Sequence, residues 1–261
     1  MINNHELKLS LDALLECAKF KDYGPNGLQV EGRPQIKRLL TGVTASLALI
    51  EEAIQCQADA ILVHHGLFWR NQSGVVTGWM KKRLAQLLKH DINLYAYHLP
   101  LDAHPTLGNN AQLARTLGFV PSGSFGEQNL GMMGHAKTPL VNLRAFAQSV
   151  ESVLHKPPLM VCPKELDLDM DMDLEELWGP NPLVAWCTGG AQGYFESAIE
   201  AGARIFITGE ISEPQAHLAR ECGVVFVACG HHASERGGAK ALGEYLAQTH
   251  GLDHQFIDID N

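Results

Sequence analysis

Three short segments of the 261-residue chain gather side chains that could hold a metal ion: His64-His65, His98-Leu-Pro-Leu-Asp102-Ala-His104, and Gly230-His-His-Ala-Ser-Glu235. Six of the thirteen histidines lie in them, which concentrates ligand chemistry far beyond an even spread. Imidazole and carboxylate without thiolate suit zinc, manganese, iron or nickel better than copper(I) or an iron–sulfur cluster. A two-metal centre needs several such donors around ions ~3.5–4 Å apart, with a position kept for water. His231 and Glu235 stand four apart, so a helix beginning there would aim both the same way. Neighbouring residues leaving a strand splay apart, so His64 and His65 could each serve a separate ion. Each segment also has a plainer explanation. The His-His pair could be a hydrogen-bonded turn, His98 packing, and Asp102 a helix cap. Their recurrence at three predicted strand ends favours metal binding. His104, His232 and Glu210 are supporting or structural candidates, Cys229 belongs to a strand core, and His5, His90, His155, His250 and His254 read as surface residues.

The elements that must position these segments alternate in period. Apolar strand-like runs cover 39–44, 60–63, 93–97, 183–187, 204–208 and 224–229. Helical spacing covers 6–19, 46–57, 81–90, 109–117, 193–201, 214–222 and 239–248. Strands alternating with such helices predict α/β architecture, with mixed sheets carrying helices on their faces. The segment Glu51-Glu-Ala-Ile-Gln-Cys-Gln-Ala-Asp-Ala-Ile-Leu-Val63 can be laid on Glu196-Ser-Ala-Ile-Glu-Ala-Gly-Ala-Arg-Ile-Phe-Ile-Thr208. An internal duplication is therefore expected, giving two similar lobes. Residues 1–125 would carry His64, His65 and Asp102, and residues 126–261 would carry His231 and Glu235, with the C-terminal segment able to pack back on the first lobe. The metal site is expected in the cleft between lobes.

Two other segments invite bolder readings. Glu165-Leu-Asp-Leu-Asp-Met-Asp-Met-Asp-Leu-Glu-Glu176 has the spaced aspartates of a calcium loop but not its glycine at position six, so a half-buried strand or solvated connection is expected. Thr188-Gly-Gly-Ala191 could hold an anion on backbone N–H groups, yet lacks the lysine and hydroxyl of a P-loop, so a tight turn is the reading.

Composition narrows the function classes. A formal charge of -9, with no dense basic patch, disfavours nucleic-acid binding. Six scattered cysteines without a C-x-x-C pair point to reduced thiols. The first eight residues lack the features of a signal peptide, and no apolar run approaches the ~18–20 residues of a membrane helix. A cytoplasmic, membrane-free protein is expected.

The motifs together carry a family resemblance. Tyr23-Gly-Pro-Asn-Gly-Leu-Gln-Val30, Leu62-Val-His-His-Gly66, His98-Leu-Pro-Leu-Asp102, Gly108-Asn-Asn110, Thr188-Gly-Gly190, Phe206-Ile-Thr-Gly-Glu210 and Gly230-His-His-Ala-Ser-Glu235 resemble the YbgI-type members of the Nif-three-like family, proteins named as GTP cyclohydrolase 1 type 2 homologues. The resemblance implies two α/β lobes, two divalent metal ions per subunit and a toroidal homohexamer. It places the metal ligands on His64, His65, Asp102, His231 and Glu235, and puts His98 in the lining of the site. Zinc, iron, manganese and nickel remain open as the metal.

Function then divides three ways. A metal-dependent hydrolase would open the ring of a nucleotide such as GTP, with His98 as a proton shuttle and Glu235 as a catalytic partner of the ions. A two-metal phosphoesterase is the variant within that class. A non-catalytic metal-binding or assembly scaffold is the reading from another class, and closed coordination would distinguish it.

Overall fold

The computed structural model describes residues 1–164, 166 and 170–261, and has mixed α/β architecture. The chain divides into two compact units, Met1–Gly108 with Arg236–Asn261, and Asn109–Glu235. The boundary expected at 125/126 falls at 108/109, and the C-terminal segment from Arg236 belongs to the first unit. Leu113, Ala114 and Phe119 pack into the core of the second unit, while Ala239, Leu242, Leu246 and Leu252 pack into that of the first. Side-chain burial sets the division, not chain order.

The sheet of the first unit runs Asp253–Phe256, Arg38–Thr44, Ala60–His65, Asn93–Ala96, Gly27–Val30. The first four strands are parallel, and the last pairs antiparallel. Strand alternation sends Leu40, Ile61, Val63 and Leu94 to one face, against Ile50 and Ala53 of helix Leu47–Gln55 and Leu87 of helix Gly78–Lys89. It sends Leu39, Ala60, Leu62 and Tyr95 to the other, against Leu7 and Leu11 of helix Asn4–Leu14 and the 239–246 leucine row. A strand covered on both faces must be apolar throughout. That explains Ala60–Val63, and makes the polar residues that follow, His64 and His65, stand out.

The second unit builds a six-stranded sheet in the order Phe119–Phe125, Gly131–Ala136, Val184–Trp186, Ile205–Thr208, Val225–Ala228, Leu159–Val161. Its middle three strands are parallel in chain order, and its flanking strands antiparallel. Trp186, Ile205, Ile207, Val225 and Val227 meet Leu143, Phe146, Val150 and Leu154 of helix Leu143–Leu154. On the alternate positions, Phe206 and Phe226 pack with Phe195 at centroid distances of 5.6 and 4.9 Å.

Several expectations shift. The helix predicted for 239–248 begins at His231 and runs to His250, so His231 and Glu235 both sit in its opening turns. The first helix ends at Leu14, where Leu15 caps it. Strand Phe119–Phe125 was not predicted because its five middle residues are exposed, it contains Pro121, and a bulge falls between Pro121 and Gly123. His254 is half-buried rather than superficial: its Nε2 lies 2.9 Å from Thr41 Oγ1, and burial lowers its pKa from the ordinary histidine value. In the acidic stretch, residues 165 and 167–169 lie outside the described residues. Of the remainder, Leu166 and Leu174 are buried, Asp171 accepts from Arg144 Nε (2.8 Å), and Asp173 caps the short helix Leu174–Trp178. Among the described residues of this stretch there is no strand, and these aspartates have local structural work.

Candidate metal-donor sites

In the first unit the apolar run of strand Ala60–His65 gives way at His64, which is fully buried. Its Nδ1 lies 3.0 Å from the carbonyl oxygen of Tyr97, which can only accept, so Nδ1 carries the proton and Nε2 becomes the ring's electron-pair donor. That Nε2 stands 3.5 Å from Asp102 Oδ1, in a short helix, Leu99–Ala103, whose residue Asp102 is 7% exposed. His65 Nδ1 contacts Thr44 Oγ1 at 3.2 Å. The rings of His64 and His65 lie 4.6 Å apart by centroid at 42°, so they diverge while remaining neighbours. His64, His65 and His98 each offer one nitrogen, and these lie within 4.8 Å of one another.

His98 is held by a residue the sequence reading did not single out. Asp22 Oδ1 accepts from His98 Nδ1 at 2.7 Å, and the same carboxylate accepts from Asn26 Nδ2 and the N–H groups of Tyr23 and Leu99. Burial alone would raise the Asp22 pKa, but the hydrogen bonds from His98, Asn26 and Tyr23 outweigh it and hold the carboxyl below its ordinary range. The only sequence signal was the turn Asp22-Tyr-Gly-Pro-Asn-Gly27, in which an aspartate ordinarily means turn chemistry.

In the second unit, His231 Nε2 lies 3.2 Å from Glu235 Oε2, one turn along the helix, and His231 Nδ1 lies 2.7 Å from Glu210 Oε1. The hydrogen bond to Glu235 raises the His231 pKa; burial opposes it, and the charges of Glu235 and Glu210 add, giving about 9. Both ring nitrogens of His231 face a carboxylate oxygen, which concentrates negative charge around the ring. Glu210 thus has the supporting role open to it, an acceptor that orients a ring. Among the described residues His104 joins no donor cluster: its Nδ1 accepts from the N–H groups of Thr106 and Leu107 and closes a turn.

Thr188-Gly-Gly-Ala191 is the tight turn expected. Its Thr188, Gly189 and Ala191 N–H groups donate to Asn110 Oδ1, Ser234 Oγ and Thr208 Oγ1, so they are committed internally rather than aimed at an anion. Gly189 has φ +72°, and a Cβ there would stand 2.0 Å from Glu235 Oε1 and 3.2 Å from His231 Nε2. Gly189→Ala must therefore displace the carboxylate as well as strain the backbone. We expect it to lower bound divalent metal about as much as Glu235→Ala, measured by elemental analysis after dialysis, with retained circular dichroism. Unchanged metal content would show that Glu235 tolerates displacement.

The donor set fits a divalent transition metal: imidazoles whose far nitrogens are anchored, beside buried carboxylates. Among the described residues no cysteine joins these donor groups, and at Cys229 burial pushes the thiol up to about 12 while its Sγ lies 3.3 Å from Thr208 O. Among the described residues no helix is long and apolar enough to cross a membrane.

Comparison with known proteins agrees with this reading of fold and family. A Neisseria meningitidis protein named GTP cyclohydrolase 1 type 2 homolog is 51% identical over 250 residues, covering 95% of this chain and 94% of its own. The solved structure of protein ybgI, described as of unknown function, superposes with a TM-score of 0.89 at 45% identity, covering 100% of this chain and 99% of its own. That of TTHA1606 from Thermus thermophilus gives 0.85 at 31% identity, covering 100% and 99%. The family model Duf34/NIF3 (NGG1p interacting factor 3) matches residues 2–261, and the chain belongs to that family.

Proposed function

We propose that this chain is a metal-dependent hydrolase that binds two divalent ions through His64, His65, Asp102, His231 and Glu235 and opens the imidazole ring of a purine nucleotide such as GTP. The observation that carries the reading is the anchoring of the rings: the Nδ1 atoms of the ligands His64 and His231, and of the proton-transfer residue His98, each face a protein acceptor within 3.0 Å. The name borne by the Neisseria relative supports the substrate class. A bound divalent pair would lower the pKa of water from 15.7 to about 7. In the reaction, water adds across the N7–C8 double bond, its hydroxyl going to C8 and its other proton to N7, and the C8–N9 bond breaks as the hydroxyl becomes a formyl carbonyl. His98, fixed at Nδ1 by Asp22, takes the hydroxyl proton at Nε2 and hands it to the departing N9. Glu235 holds the charge beside His231. Assembly as a toroidal homohexamer in the cytoplasm belongs to the same proposal.

The test compares GTP ring opening, followed by ultraviolet absorbance and product mass, in the metal-loaded chain and in His98→Ala. We expect the variant to keep its metal and lose about 10²–10⁴-fold in rate, the range of general acid–base catalysis. Turnover of a phosphodiester with GTP left intact would move the reading to a phosphoesterase. Absence of both turnovers from the metal-loaded chain would leave the scaffold.

A further inference from the structure

Two loops of the first unit set aromatic rings beside the imidazole cluster, where neither metal binding nor proton transfer calls for them. Tyr23, 55% exposed, meets His98 edge to face at a centroid distance of 6.1 Å. Trp69 stands perpendicular to His98 at 5.0 Å, and 5.9 Å from His65. The loops that carry them are tied together. Arg70 N–H donates to Tyr23 O at 2.6 Å, its Nη2 donates to Asp22 O at 2.7 Å, and its guanidinium lies 5.4 Å from the Tyr23 ring centroid. Their backbones pass so closely that a Cβ on Gly24 would stand 2.4 Å from Phe68 O. Across the same junction, Leu67 N–H donates to Gln29 Oε1, whose Nε2 donates to Pro25 O.

A large aromatic side chain left in solvent on a loop this tightly tied is poorly explained by packing. The ring is held in place before any ligand arrives, so little side-chain freedom is lost on binding. Stacking on such a ring suits a flat heterocycle, because every nucleobase has a π-face. Arg70 adds cationic donors at the rim for acceptor atoms on the edge of a base.

We propose that Tyr23 and Trp69 form a stacking platform that takes the planar base of the substrate and sets it beside His65 and His98. This rests on the nucleotide reading above and names the part of the nucleotide that gives affinity.

The test uses the full metal-loaded chain and two probes, GMP and ribose 5-phosphate, with binding followed by calorimetry. GMP is expected to bind more tightly than ribose 5-phosphate. Tyr23→Leu, which keeps apolar bulk at an exposed position, and Trp69→Ala should each weaken GMP about tenfold, a typical loss for one stacked base. Ribose 5-phosphate affinity and metal content should stay unchanged, and Tyr23→Phe should bind GMP as the unaltered chain does. In turnover, the KM for GTP should rise in Tyr23→Leu with kcat retained. Equal affinity for the two probes, or GMP binding unaltered in Tyr23→Leu, overturns the platform. GTP turnover with an unchanged KM in Tyr23→Leu overturns the platform and leaves the hydrolase reading standing. Base-dependent GMP binding that is lost in Tyr23→Leu, without any GTP turnover, does the reverse.

Discussion

If the chain binds the two divalent ions proposed for it, His64→Ala reduces them to one or fewer, counted by elemental analysis on protein dialysed against a metal buffer. The expectation follows from geometry within one unit. His64 is fully buried, its Nδ1 is committed to Tyr97 O, and its Nε2 is directed at Asp102, so the substitution removes an anchored donor from beside that carboxylate. The same experiment has a thermal readout. An ion present at about 100 times its dissociation constant stabilises the folded state by about 2.7 kcal/mol. For a chain of this size that raises Tm by about 5–10 °C. A chelator should remove that increment from the unaltered chain and change His64→Ala much less. Glu210→Gln should fall between, with metal affinity weaker by about 10–100-fold, because it loosens the orientation of a ligand and not the ligand itself. His64→Ala retaining both ions would end the metal assignment. The loss of a single ion, with His231→Ala losing the other one independently, would mean that the two donor sets serve separate ions.

How much of this was readable in advance follows from the range of each interaction. Ala60–Val63 announced a buried parallel strand because both its faces meet apolar neighbours, and composition alone encodes that. His231 and Glu235 were readable as a pair because four residues is a local, helical distance. Asp22 was not, since the atom it holds belongs to His98, 76 residues away, and nothing local separates an aspartate in a turn from one gripping an imidazole. The boundary after residue 125 was set too late for a related reason. Helical periodicity shows that Leu113 and Ala114 face some core, but not which one. The exposed edge strand at 119–125 carries no alternation because its middle has nothing to bury.

Trp186→Ala is expected to destabilise the second unit by about 3–5 kcal/mol through the lost apolar volume alone. The indole is completely buried, lies 5.4 Å from the Phe119 ring by centroid, and its Nε1–H donates to Asn110 O at 3.0 Å. Removing that donor from a buried carbonyl adds about 1–3 kcal/mol. The sum is a large share of the roughly 5–15 kcal/mol by which a domain is stable, so the variant should unfold at much lower urea. Trp186→Phe separates the two contributions, because it keeps most of the ring volume and loses only the hydrogen bond. Trp79, 52% exposed, supplies the contrast: Trp79→Ala should stay within about 0.5 kcal/mol. The consequence reaches the donor residues of the same unit. Asn110, which receives the indole N–H on its carbonyl, receives the Thr188 N–H on its side chain, and Thr188 precedes the glycine packed against Glu235. The tryptophan therefore fixes the turn that leaves room for the carboxylate. A loss of less than about 1 kcal/mol in Trp186→Ala would show that neither the ring nor its hydrogen bond anchors that turn.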